Sequence, residues 1–131
     1  MGVEQNKATV QSAYAAFGEG NVDGVLATLA DDVVWSAYTA SDAPFSGQFK
    51  GHVEVARFFG MVVENIEIEK FEVDTILGES DFVVATLSER YKVKTTGKTH
   101  EGGLVHVYHF DAAGKVDRFD EYESANDAFR A

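Results

Sequence analysis

Leu104-Val105-His106-Val107-Tyr108-His109-Phe110-Asp111-Ala112-Ala113-Gly114-Lys115-Val116-Asp117-Arg118-Phe119-Asp120-Glu121-Tyr122 reads as two strands joined by a tight loop. Asp111 to Lys115 suits a three-residue connection, a type I turn followed by Gly114 in the left-handed region. Asp111 then pairs with Lys115, and the ladder sets Phe110 against Val116, Tyr108 against Arg118, His106 against Asp120 and Leu104 against Tyr122. Side chains alternate along a strand, so these four pairs share one face. The other face carries Val105, Val107 and Phe119 among His109, Asp117 and Glu121. A loop one residue longer would set His106 against Phe119, so the hairpin's chemistry rides on its register.

Upstream, the period of about two continues back to Ile66. It divides into strands at about 66–77, 82–94, 100–110 and 115–124, separated by the turn-forming runs Gly78 to Asp81, Thr95 to Lys98 and Asp111 to Lys115. Before Ile66 the period is helical. Val10, Ala13, Tyr14 and Phe17 form one stripe, and Gly18-Glu19-Gly20 ends that helix. Asn21 is a natural N-cap for a second helix with Val22, Val25, Leu26 and Leu29 as its stripe. Asp31-Asp32 leads into the β-prone Val33-Val34-Trp35, and residues 36–50 read as a long loop with room for a short strand. Gly51 opens a third helix that buries Val55, Phe58, Phe59 and Val62. Helices first and a strand meander afterwards is an α+β order, with helices gathered on one face of the sheet.

The chain has 131 residues, which predicts one domain, and its 45% hydrophobic content suffices for a core and a lined cavity. It has no cysteine, so disulfides, thiolate metal sites and a cysteine nucleophile are excluded. Eleven basic against 22 acidic residues give a formal charge of −11, which disfavours nucleic acid and anionic membrane as partners. No run approaches the roughly 20 apolar residues of a membrane span, and the first residues lack the apolar core of a signal peptide. A cytoplasmic protein is expected. The half-apolar outer face of the last hairpin wants partial cover, and the expected cover is a second copy of the chain, as a homodimer.

An imidazole and a carboxylate opposed across strands have Cβ atoms roughly 5 Å apart, close enough to touch. Within an apolar pocket, Asp120 and His106 would make a general base with a partner. Burial raises the aspartate from its ordinary range near 3.9 and a neighbouring imidazolium lowers it. Such a tunable pair suits proton abstraction next to a carbonyl. On an exposed face the same pair would be an ion pair worth a few tenths of a kcal/mol. No metal site is expected. His106 and His109 face opposite ways, and His52 and His100 have no ligand-type neighbours at short spacing.

Several stretches together carry a family resemblance. Val10-Gln11-Ser12-Ala13-Tyr14-Ala15-Ala16-Phe17, Gly20 to Gly24 and Leu29 to Trp35 resemble the start of the nuclear transport factor 2-like superfamily. Phe45 to Gly51 leading into Glu54-Val55-Ala56-Arg57-Phe58-Phe59 resembles its third helix, and Thr96-Gly97-Lys98 and Gly114-Lys115-Val116 its closing turns. Within it, the chain looks most like the SnoaL-like polyketide cyclases. The resemblance implies a cone-shaped α+β barrel, three N-terminal helices on a curved, mixed or antiparallel sheet around an apolar pocket. It further implies aldol closure or isomerisation of a small hydrophobic carbonyl compound, without metal or cofactor. Asp120 would be the base on the last strand, and His106 on the preceding strand would hydrogen-bond the enolate or orient the base.

Two related readings fit less well. The tyrosine and aspartate of ketosteroid isomerase, a worked case of carboxyl tuning, would fall on Ala13 and Ala37. An epoxide-hydrolase-like Asp–Arg–Asp set has only Arg118-Phe119-Asp120 as an echo. Tyr14, Trp35, Phe59, Leu104 and Tyr122 are the expected pocket walls. Glu89 and Arg90 point to opposite faces of their strand, and the turn beside them leaves open which is inside. A ligand-binding protein without catalysis fits the same pocket.

Overall fold

The computed structural model describes residues 2–40 and 42–130. Its elements run α1 (Val3–Gly18), α2 (Val22–Leu26), β1 (Leu29–Tyr38), β2 (Gly47–Lys50), α3 (Gly51–Asn65), β3 (Ile66–Glu79), β4 (Phe82–Val93), β5 (Thr99–Phe110) and β6 (Val116–Glu123). Three helices thus pack on one six-stranded sheet of order β2-β1-β6-β5-β4-β3. The sheet is mixed, because β1 runs parallel to β6 while every other neighbouring pair is antiparallel. It curls around the helices without closing, the cone expected for this fold. No described helix is long and apolar enough to cross a membrane.

The strands after Ile66 lie within two residues of their expected bounds, since each is fixed by a turn that only certain residues make. Asn21 caps α2 by accepting a hydrogen bond from the Gly24 amide at 2.9 Å. The second helix, however, ends at Leu26. Leu29 is instead the first residue of β1, beside Val116, and that strand continues through Trp35 to Tyr38. Pairing with β2 and β6 recruits residues that lack strong local preference.

The last hairpin turns as expected and then departs from its expected ladder. Asp111 N–H bonds the Lys115 carbonyl at 2.8 Å, Gly114 has φ 80°, and Phe110 pairs with Val116. The next pair is His109 with Arg118, so Asp117 is an extra residue, a β-bulge. Beyond it Tyr108 faces Phe119, His106 faces Glu121, Val107 faces Asp120 and Leu104 faces Glu123.

The cause is hydrophobic. Val116 and Phe119 are both buried, with 1% of each exposed, and no strict alternation can turn residues three apart to one face. A regular ladder would bury the Arg118 guanidinium and expose a phenyl ring. Losing the Phe burial alone costs about 1.5–3 kcal/mol, and burying a charge costs more. The bulge avoids both. It turns Phe119 and Glu121 inward, contrary to the expectation that they share the outer face with Val105. Phe119→Ala is therefore expected to cost about 3–5 kcal/mol in urea denaturation. Arg118→Lys, which keeps a positive charge beside the buried Asp120 at a side chain 64% exposed, should cost below about 1 kcal/mol. The reverse order would contradict this register.

Candidate functional site

The inward rows of three adjacent strands build the wall of a cavity. On β4 the row is Val83, Ala85, Leu87, Glu89, Tyr91 and Val93, all buried. On β5 it is His100, Leu104, His106, Tyr108 and Phe110, and on β6, after the bulge, Phe119, Glu121 and Glu123. Of these rows, Glu89, Tyr91, Leu104, His106, Tyr108, Phe119, Glu121 and Glu123 line the cavity itself, and His100 lies behind the lining beside Glu89. Helices α1 and α3 close the other side with Tyr14, Phe17, Phe58 and Phe59. The cavity holds about 80 Å³, several waters' worth, since one water needs on the order of 10–15 Å³. It shares Tyr14, Phe17, Phe59 and Phe71 with an adjoining groove of about 660 Å³.

Set in this apolar wall is a chain of polar contacts. The Tyr14 hydroxyl lies 2.7 Å from His106 Nδ1, and His106 Nε2 lies 3.0 Å from Glu121 Oε2. Burial pushes the Tyr14 hydroxyl well above its ordinary range; the Tyr108 hydroxyl pulls it partly back, and the charge of Glu121 adds to the rise. Tyr14 therefore keeps its proton. In a neutral imidazole with its hydrogen on Nε2, the Tyr14 hydroxyl donates to Nδ1 and Nε2–H donates to Glu121. Tyr108 is also raised, by complete burial and then by Tyr14. Phe119 stacks on Trp35 at 3.8 Å between centroids and meets the His106 ring edge-on at 4.8 Å, so the imidazole is clamped between the hairpin's own rings.

Of the residues singled out from sequence, Tyr14, Trp35, Phe59, Leu104 and His106 all line this cavity. Asp120 and Tyr122 do not, because the bulge reverses their faces. Asp120 accepts a hydrogen bond from Arg118 Nε at 3.0 Å. Tyr122, 47% exposed, stacks on Tyr38 on the outer surface. The carboxylate that meets His106 is Glu121, the residue next to the expected one. The Arg118–Asp120 pair lies on that outer side as well, so the epoxide-hydrolase-like set is not assembled in the cavity. The signal for the bulge was present in Val116-Asp117-Arg118-Phe119, where two charged residues separate two apolar ones.

A second polar cluster lies in the same wall, and sequence reasoning missed it. Glu89 faces inward while its neighbour Arg90 pairs outside with Glu69. His100 Nε2 lies 3.7 Å from Glu89 Oε2, too long for a hydrogen bond, and neither atom has a partner among the described residues. Glu123 completes the group. It accepts from Tyr91 Oη–H at 2.8 Å and from Asn126 Nδ2 at 2.9 Å. His100 thus has two carboxylate neighbours, contrary to the reading from spacing alone, because they come from other strands. Burial, then the Glu123 carboxylate, push the Glu89 carboxyl up to about 10. The signal for Glu89 was the apolar row Val83, Ala85, Leu87, Tyr91 and Val93 that it interrupts.

The fold and this enclosed wall define a nuclear transport factor 2-like protein. Residues 10–119 match the SnoaL-like domain, and the chain belongs to that family. Among solved structures it is similar to a nuclear transport factor 2-like protein of unknown function from Burkholderia pseudomallei. That chain is 29% identical, with 92% of this chain and 91% of that one covered and a TM-score of 0.83. A nuclear transport factor 2-like protein from Burkholderia xenovorans is 25% identical over 95% and 92%, also with a TM-score of 0.83. TerC, crystallised with polyporic acid, shares the fold at 20% identity, with 92% of each chain covered and a TM-score of 0.80. No curated protein matches the chain significantly.

The environment of Glu89 has a measurable consequence for stability. Between about pH 4.5 and about 10 the unfolded chain releases this proton and the folded chain keeps it. The folded state therefore binds more protons, and this group's contribution to stability falls as pH rises through that window. Glu89→Gln removes the dependence. Thermal melts in buffer with a chelator should show the variant gaining on the wild type between pH 5 and pH 9. An unchanged difference across that range would contradict the assignment.

Proposed function

We propose that the cavity performs acid–base chemistry on a small hydrophobic carbonyl compound, with Glu121 as the base. The observation behind this reading is the 3.0 Å contact between His106 Nε2 and Glu121 Oε2 in a wall of aromatic rings. One carboxylate oxygen is oriented by the imidazole, which leaves Oε1 to take a proton from carbon. Tyr14 fixes the tautomer of His106 by occupying Nδ1. Trp35 Nε1–H, which has no partner among the described residues, is the donor available to the developing enolate oxygen. The deep cavity would hold the reacting head and the adjoining groove an apolar tail. Family membership supports cyclisation or isomerisation as the class of reaction, with Glu121 in the place expected for Asp120.

The test is α-proton exchange in D₂O, followed by NMR over a panel of ketones and polyketide-like esters. Wild type should exchange at least one compound above a protein-free blank. Glu121→Gln should lose on the order of 10²–10⁴-fold, whereas Asp120→Asn should retain activity. Exchange that survives Glu121→Gln overturns the role of Glu121. Absence of exchange across the panel would favour a protein that binds its ligand without transforming it.

A further inference from the structure

The cavity wall holds a cluster that the proposed reaction does not use. Glu89 on β4, His100 on β5 and Glu123 on β6 bring one donor atom each to within 4.8 Å of one another. We infer that Glu89, His100 and Glu123 form a binding site for a divalent first-row transition ion such as Zn²⁺, Mn²⁺ or Co²⁺.

Three independent features support the site. The first is unspent donors. Glu89 and His100 are 7% and 6% exposed, and Glu89 Oε2 and His100 Nε2 face each other with no partner among the described residues. Buried polar atoms are nearly always bonded, so two facing ones without partners imply something between them. The second is distance. Donors bound to zinc at 2.0–2.2 Å with tetrahedral angles sit about 3.4 Å apart. The 3.7 Å between His100 Nε2 and Glu89 Oε2 needs an adjustment of only a few tenths of an ångström. The third is support from outside the ligand set. Tyr91 Oη–H and Asn126 Nδ2 both donate to Glu123, and such outer bonds are what orient a metal-binding carboxylate.

Gly102 has a packing role here as well. A Cβ at that position would collide with Ser124 Oγ and lie 3.2 Å from the His100 ring. The buried Glu89 and the half-buried Glu123 beside one imidazole also lack a fixed positive charge. No arginine or lysine among the described residues lines this cavity, so no fixed positive charge opposes a cation there. One imidazole with two carboxylates suits zinc, manganese or cobalt better than an all-oxygen magnesium or calcium cage. Three protein ligands leave a coordination position open, and Glu89 and Glu123 both face the cavity. This inference does not depend on the role proposed for Glu121.

The test uses the full chain, stripped with chelator and titrated separately with ZnCl₂, MnCl₂ and CoCl₂ by calorimetry. Visible absorption of the cobalt form is a second readout. One ion per chain is expected for at least one metal. Glu89→Gln and His100→Gln should each weaken it by more than about 100-fold, and Tyr91→Phe by about 10-fold, the scale of losing an outer partner. His109→Gln should change nothing, since His109 pairs with Asp117 at 2.6 Å on the other face. Circular dichroism of each variant confirms that it is folded. Absence of binding by folded wild type overturns the inference. So does binding that folded Glu89→Gln and His100→Gln retain but His109→Gln loses, which would be an adventitious ion only.

Discussion

A single surplus residue on the last strand governs what the cavity contains. Asp117 lets Val116 and Phe119 enter the core together, although they stand three apart on a strand whose side chains alternate by two. From that point to its end, β6 presents to the helices the side chains a regular ladder would have sent outside. Phe119 becomes the ring on which Trp35 stacks and against which His106 is held. Glu121 and Glu123, two residues apart, become the acidic groups of the wall. The apolar demand of one phenyl ring thereby selects the carboxylates that face the cavity, and Asp120 is turned to the other side.

The wall then treats its carboxylates differently. Glu121 has an imidazole hydrogen directed at one oxygen and Tyr14 behind that imidazole. Glu123 has Tyr91 and Asn126. Glu89 has burial, the Glu123 carboxylate and an imidazole nitrogen at a distance too long to help, so its charged form is the least supported. A carboxyl displaced this far by its surroundings in a cavity wall is the usual raw material of acid–base and metal chemistry.

Much of this was legible in the residues. The turn at Asp111 to Lys115 and those before it bounded β3 to β6 closely, because glycine and aspartate at loop positions have few alternatives. The helical stripe of α1 placed Tyr14 among the core residues, where it meets His106. What local patterns could not supply was tertiary. Leu29 and residues 36–38 are strand because β6 and β2 lie beside them, and nothing in Ser36-Ala37-Tyr38 demands it. The Glu89–His100–Glu123 cluster joins three strands and has no spacing to read. The bulge stood between: Val116-Asp117-Arg118-Phe119 defies alternation, but its effect on register follows only from weighing the burial of Phe119 against that of Arg118.

The account stands or falls on which carboxylate meets His106. Long-range ¹H–¹⁵N correlation of the histidine side chains, recorded at about pH 8 and so above the ordinary histidine range, reports this directly. The predicted result is a His106 ring protonated at Nε2, whose nitrogen shifts move in Glu121→Gln and stay in place in Asp120→Asn. A His106 signal that ignores Glu121→Gln and responds to Asp120→Asn would restore the regular ladder and contradict the site described.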